Sequence, residues 1–254
     1  MSLAMSELRV TTSEAIREPQ AAPGPLGRAV AVFDLDGTLV DTAPDLAASV
    51  NHCLAVAGLP GVPEAVIRPH SGFGARAMLT LAFGRSGLTL TDAEMDAQLA
   101  CFLSYYEDHI ADRSQIFPGV AEALDRLEAD GFVLAVCTNK TERLARLLCE
   151  TMGLAPRFKA VCGADTFQRR KPDPIHLLGT IERCGGDPRA SVMIGDSRVD
   201  MDAAWASGVR SILVEFGDGV DAGARAAGGR VVSSYAQIDR ELLENLLHNR
   251  AGAS

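Results

Sequence analysis

The sequence predicts a doubly wound α/β fold, in which a Rossmann-like parallel sheet core carries an inserted all-helical cap domain. Three observations lead there. Short, uninterrupted apolar runs recur along the chain and read as strands buried on both faces. After residue 114 these runs alternate with segments of helical period, the pattern of a parallel sheet covered by helices. Between residues 43 and 113 only helical periodicity occurs, so a block of helices separates the first strand from the others.

The elements follow in order. Residues 1–27 lack a periodic apolar pattern and are expected to form a flexible leader. The run at 29–33, Ala-Val-Ala-Val-Phe, is a buried strand that ends in the Gly turn Asp34-Leu-Asp-Gly-Thr38. In the helical block, Leu46, Val50 and Leu54 recur every four residues until Gly58. Thr91 and Glu94 have capping-box spacing, where each side chain can satisfy the other's exposed backbone N–H. Met95, Leu99, Phe102 and Tyr106 then follow along one helical face.

Beyond residue 114, a helix carries Val120, Leu124 and Leu127 and stops at Gly131, before a strand at 132–137. A helix over 141–152 places Leu144, Leu148 and Met152 on one face and closes at Gly153. A strand near 159–162, a helix near 174–184, a strand at 191–194 and a helix near 199–207 come next. Further strands are expected at 211–216 and 230–232, and Ile238, Leu242 and Leu246 mark a terminal helix. The resulting division is a sheet core of residues 28–42 and 114–248, with an inserted helical cap of residues 43–113.

Composition excludes several functions. With 33 acids against 24 bases the net charge is −9, which argues against nucleic-acid and anionic-membrane partners. No apolar run exceeds six residues, so none is long enough to span a bilayer. Six Cys without a C-x-x-C pair fit a reducing compartment, and a cytoplasmic location is expected. The five His show no zinc-site spacing. Arg outnumbers Lys by 21 to three, the lysines being Lys140, Lys159 and Lys171.

Ligands of such sheets bind beyond the carboxyl ends of the strands, and the chemically suggestive residues lie there. Asp34 and Asp36 end a buried strand with both side chains to one side. A D-x-D pair also arises as solvated loop acids, but two carboxylates held close repel unless a proton or cation lies between them. Asp196 and Asp200 follow the strand at 191–194 and open a helix, where they serve either as capping acids or as cation ligands. The four acids together suit a hard cation such as Mg²⁺. Thr138 and Asn139 end another strand, and Lys171 precedes Pro172 in a loop before a helix. A compact ammonium suits a phosphoryl oxygen, although a lone lysine also reads as solvated.

Taken in order, these segments resemble the haloacid dehalogenase-like hydrolase superfamily. Asp34-Leu-Asp-Gly-Thr-Leu-Val-Asp41 is similar to its first motif, Thr138-Asn139 to its second, Lys171-Pro172 to its third, and Gly195-Asp-Ser-Arg-Val-Asp200 to its fourth. The resemblance covers about residues 29–245. Residues 42–51 and 72–76 of the insert look like the phosphoglycolate phosphatase branch. It implies that Asp34 attacks phosphorus to give an aspartyl-phosphate, while Asp36 protonates the departing alcohol and later takes a proton from water. It further implies Mg²⁺ held by Asp34, the backbone carbonyl of Asp36, Asp196 and Asp200, with Thr138, Asn139 and Lys171 on the phosphoryl group.

The expectation is a Mg²⁺-dependent phosphatase of a small phosphorylated metabolite, 2-phosphoglycolate first. The alternatives are a phosphomutase of the β-phosphoglucomutase type and a non-catalytic binding module that keeps the fold. Asp36 favours phosphoryl transfer over carbon–halogen cleavage, since a halide leaves without a proton. Residues 43–113 contain no Lys, which disfavours a Schiff-base phosphonate hydrolase. Arg76, at an expected helix start, is the candidate for an anionic substrate end, or else an exposed helix arginine; Arg68 and His70 share its loop.

Overall fold

The computed structural model describes residues 28–217 and 220–248. The leader expected over residues 1–27 lies outside the described residues.

Six parallel strands form the main sheet: β1 (Val30–Phe33), β4 (Val133–Cys137), β5 (Ala160–Cys162), β6 (Val192–Gly195), β7 (Arg210–Val214) and β8 (Arg230–Val232), in the order β5-β4-β1-β6-β7-β8. A separate antiparallel ribbon pairs β2 (Val40–Asp41) with β3 (Gln115–Ile116). β1 is central and wholly buried because Val30 and Val32 face one apolar layer while Ala31 and Phe33 face the other. Alternation between two buried faces is why its sequence shows no polar residue.

Helices cover both faces of the sheet: α5 (Val120–Ala129), α6 (Glu142–Thr151), α7 (Pro174–Arg183), α8 (Arg198–Ala206), the short α9 (Ala222–Ala226) and α10 (Arg240–His248). Four more lie between β2 and β3: α1 (Ala43–Val56), α2 (Glu64–Ile67), α3 (Ala75–Arg85) and α4 (Asp92–Asp108), with a 3₁₀ turn at Arg68–Phe73. Helix α4 starts on the expected capping box. Thr91 accepts from the Glu94 N–H at 3.4 Å, and the Thr91 N–H donates to Glu94 at 2.8 Å.

Two differences from the sequence reading concern boundaries. The strand expected at 211–216 stops at Val214, and residues 215–216 form a turn. The ribbon β2–β3 is too short to show a period of two, so periodicity could not reveal it.

The path of the chain sets the site. After β1 it moves outward to β4 and β5, then returns to the other side of β1 for β6, β7 and β8. The strand order reverses at β1, which leaves a crevice at the carboxyl ends of β4, β1 and β6. Register keeps those ends level, because Phe33 aligns with Val136 of β4 and Ile194 of β6. The next residues are Asp34, Thr138 one further along, and Asp196 beyond Gly195.

The helical insert is fastened where it leaves and rejoins the sheet. Buried Asp45, in the first turn of α1, accepts from the Ser114 N–H at 2.8 Å, the Ser114 hydroxyl at 2.6 Å and the Arg113 N–H at 3.0 Å. One carboxylate thus binds the outgoing chain to the returning one.

Candidate active site

Asp34 is the first residue past β1, and its N–H donates to the Ile194 carbonyl at 2.9 Å. Its Oδ1 accepts from the Leu35 N–H at 2.7 Å and lies 3.0 Å from the Lys171 ammonium. Its Oδ2 has no partner among the described residues, and Asp34 lines a cavity of about 260 Å³ between sheet and insert. Burial pushes the Asp34 carboxyl up to about 7; Lys171 opposes this, and Asp200 and Asp36 add to it.

Lys171 reaches the site from the loop before α7. Its Nζ also donates to Asp200 Oδ1 at 2.6 Å, and its side chain is 1% exposed. Burial presses against this charge, but Asp200 and Asp34 more than offset it and hold the ammonium above its ordinary range. The loop is fixed by its backbone: the Lys171 N–H donates to His176 Nδ1 at 3.1 Å, and the Lys171 carbonyl accepts from Asn139 Nδ2 at 3.1 Å. Burial, then the neighbouring Lys171, pushes His176 down to about 4, so its ring is neutral at pH 7.

Asp200 satisfies both readings offered by its sequence. Its Oδ2 takes the Ser197 N–H at 3.1 Å and the Ser197 hydroxyl at 2.6 Å, capping α8, while its Oδ1 takes Lys171. Asp196 precedes the helix and accepts from the Thr38 hydroxyl at 3.0 Å. Two glycines make room for it. Gly37 has φ +77°, and a Cβ there would lie 2.5 Å from Asp196 Oδ2; a Cβ on Gly217 would collide with the Asp196 side chain.

Asp34, Asp196 and Asp200 each offer a carboxylate oxygen, and these oxygens lie within 4.8 Å of one another. All three residues are buried, and the one ammonium among them, Lys171, touches Asp34 and Asp200. Carboxylate oxygens gathered this closely in a region of low dielectric repel one another, which a divalent cation offsets. The donor set is all oxygen and suits a hard metal ion.

Asp36 forms the second centre. Its Oδ1 accepts from the Thr42 hydroxyl at 2.6 Å and lies 3.0 Å from Lys140 Nζ, while Oδ2 has no partner among the described residues. Lys140 donates to the Tyr106 hydroxyl at 2.9 Å, and its Nζ sits 4.4 Å from the centre of that ring. Burial pushes the Tyr106 phenol up to about 12, so it stays protonated.

The structure therefore brings together Asp34, Asp36, Thr138, Asn139, Lys171, Asp196 and Asp200. Thr138 and Asn139 line the cavity, Asn139 with its Oδ1 buried and unpartnered. Arg76 lines the cavity from the insert, paired with Asp96 at 2.9 Å and more than half exposed. Arg68 is held instead by Asp41 at 2.9 Å and Glu64 at 2.6 Å. His70 lies in the 3₁₀ turn beside Phe73.

Sequence reasoning missed Lys140, Thr42, Thr38 and Tyr106. The scarcity of lysine was a usable signal, since Lys140 directly follows Thr138-Asn139.

Comparison with known proteins agrees with this geometry. The family model described as haloacid dehalogenase-like hydrolase matches residues 31–214, well over half of the chain. A phosphoglycolate phosphatase of Mesorhizobium japonicum is 43% identical over 222 residues, covering 87% of this chain and 98% of that protein. One from Agrobacterium fabrum is also 43% identical, covering 89% and 97%. Among solved structures, a predicted phosphoglycolate phosphatase from Haemophilus somnus superposes with a TM-score of 0.77 at 27% identity, covering 85% of this chain and 98% of that one.

Proposed function

Because the chain belongs to the haloacid dehalogenase-like hydrolases, we propose that it is a Mg²⁺-dependent phosphatase of small phosphate monoesters, with 2-phosphoglycolate as its first substrate. One observation carries the reading. Asp34 and Asp36 each hold one carboxylate oxygen in hydrogen bonds and present the other, unpartnered, beside a single cavity. Such a pair can divide the work between nucleophile and acid–base group.

In this reading Asp34 Oδ2 attacks phosphorus in line with the ester oxygen, forming an aspartyl-phosphate as the P–O bond to the alcohol breaks. Asp36, protonated at Oδ2, gives its proton to the departing alkoxide. The carboxylate so formed takes a proton from water, which attacks the aspartyl-phosphate and releases inorganic phosphate, restoring Asp34. Lys171, Thr138 and Asn139 offset charge on the transferring oxygens. Asp34, Asp196, Asp200 and the Asp36 carbonyl would hold Mg²⁺. When bound, the ion supplies positive charge against the phosphoryl group and favours the ionised form of Asp34.

The insert of residues 43–113 would act as the lid, since its apolar side chains line one side of the cavity and would limit water at the aspartyl-phosphate. Arg76 would add positive charge at the cavity from that side and draw an anionic substrate toward it. The six cysteines, most of them buried and none paired in a disulfide, suit a reducing compartment such as the cytoplasm.

The test is phosphate release from 2-phosphoglycolate with Mg²⁺. Chelation with EDTA should stop it and added Mg²⁺ restore it, and Asp34→Asn should lower kcat by more than about 10⁴-fold while keeping the fold. Full activity of Asp34→Asn overturns the reading.

A further inference from the structure

We infer that Lys140 is the residue that selects a carboxylate-bearing leaving group, binding the carboxylate of the substrate next to the ester oxygen that Asp36 protonates. The inference rests on the phosphatase reading above and deepens it.

The cations that line the cavity are Lys140, Arg76 and Arg170. Arg76 is committed to Asp96 and more than half exposed, and Arg170 is exposed. Lys140 alone of the three is buried, with its side chain 5% exposed. A buried ammonium is costly unless its donors are used, and an exposed pair is screened by water. Lys140 is therefore where an anion would gain most from a point charge.

Donor arithmetic agrees. An ammonium has three N–H donors. Two are taken, by Asp36 Oδ1 and the Tyr106 hydroxyl. The third has no hydrogen-bond partner among the described residues beyond the nearby Tyr106 ring face, and Lys140 lines the cavity.

Position completes the argument. Asp36 uses Oδ1 on Thr42 and Lys140, which leaves Oδ2 for the ester oxygen. In a two-carbon phospho-acid the carboxylate carbon is two covalent bonds from that oxygen. A group so close to the ester oxygen falls beside whatever flanks Asp36, and Lys140 Nζ is 3.0 Å from that carboxylate. Much of the lining is apolar, including Leu46, Met78, Leu99, Phe102 and Leu144, and its neutral polar side chains, such as Ser71 and Thr141, bring a carboxylate no charge. The reach of a distal carboxylate on a longer acid would fall elsewhere, so the device favours a carboxylate adjacent to the phosphorylated carbon.

The experiment compares 2-phosphoglycolate with ethyl phosphate, an ester of the same length without the carboxylate, for wild type, Lys140→Gln and Lys140→Met. Wild type is expected to prefer 2-phosphoglycolate by at least about 100-fold in kcat/KM. In Lys140→Gln that preference should fall by at least about 30-fold, mainly through KM for 2-phosphoglycolate, beyond whatever both substrates lose when the group beside Asp36 changes. Thermal melts report folding of both variants. An unchanged preference in a folded variant overturns the inference, and so does equal loss on both substrates, which would make Lys140 only a positioning residue for Asp36. If wild type shows no preference, the 2-phosphoglycolate reading itself falls and the inference falls with it.

Discussion

The two walls of the cavity handle charge in opposite ways. On the sheet side Asp34, Asp36, Asp200 and Lys171 are buried, and each is held within 3.0 Å of an opposite charge. On the insert side the lining is largely apolar, and its arginine, Arg76, sits in an exposed pair with Asp96. The sheet wall is therefore stiff and intolerant, because removing one member leaves another charge stranded in low dielectric. The insert wall can change at little cost, since exposed pairs contribute well under about 1 kcal/mol. The reacting groups proposed above, and Lys140 with them, lie on the first wall, while the second is free to vary in shape.

The contrast can be broken by mutation. Lys171→Met should have the largest effect. It leaves Asp34 and Asp200 facing each other without their shared ammonium, and should cost about 3–5 kcal/mol in urea unfolding and about 10² to 10³-fold in kcat. A change below 1 kcal/mol would mean that the sheet wall is no more constrained than the surface. Asp45→Ala comes next, because it strands the buried Ser114 N–H and hydroxyl where the insert is fastened. A loss of about 3 kcal/mol is expected by the same measurement, with no direct effect on the reacting groups. Arg76→Ala should be smallest. Stability should be unchanged within experimental scatter, and KM for 2-phosphoglycolate should rise only about three- to tenfold. A loss comparable to that of the Lys140 variants would shift substrate recognition to the insert wall.

The same contrast explains what could be read from the sequence. The central strand was legible because burial on both faces leaves an all-apolar run, and the acids after it stood out against that background. The start of α4 was legible because Thr91 and Glu94 carry their own cap. Short elements were not. The ribbon of Val40–Asp41 with Gln115–Ile116 has too few residues for a period, and α9 is an Ala, Gly and Arg segment without an apolar stripe. Lys140 was visible as a rare residue but not as a functional one. Its partners, Asp36 and Tyr106, come from distant parts of the chain, and only the pairing of β1 with β4, with α4 of the insert beside their ends, brings the three together.

The ribbon has one further consequence. Val40 pairs with Ile116 and Asp41 with Gln115, so the insert begins and ends at adjacent points, outside the parallel sheet. The ribbon is a socket. Any segment whose two ends can lie side by side could be seated there without disturbing the strand order that aligns Asp34, Thr138 and Asp196. The insert could therefore be exchanged as one piece, residues 43–113, while the residues after β1, β4 and β6, Lys140 among them, stay in register.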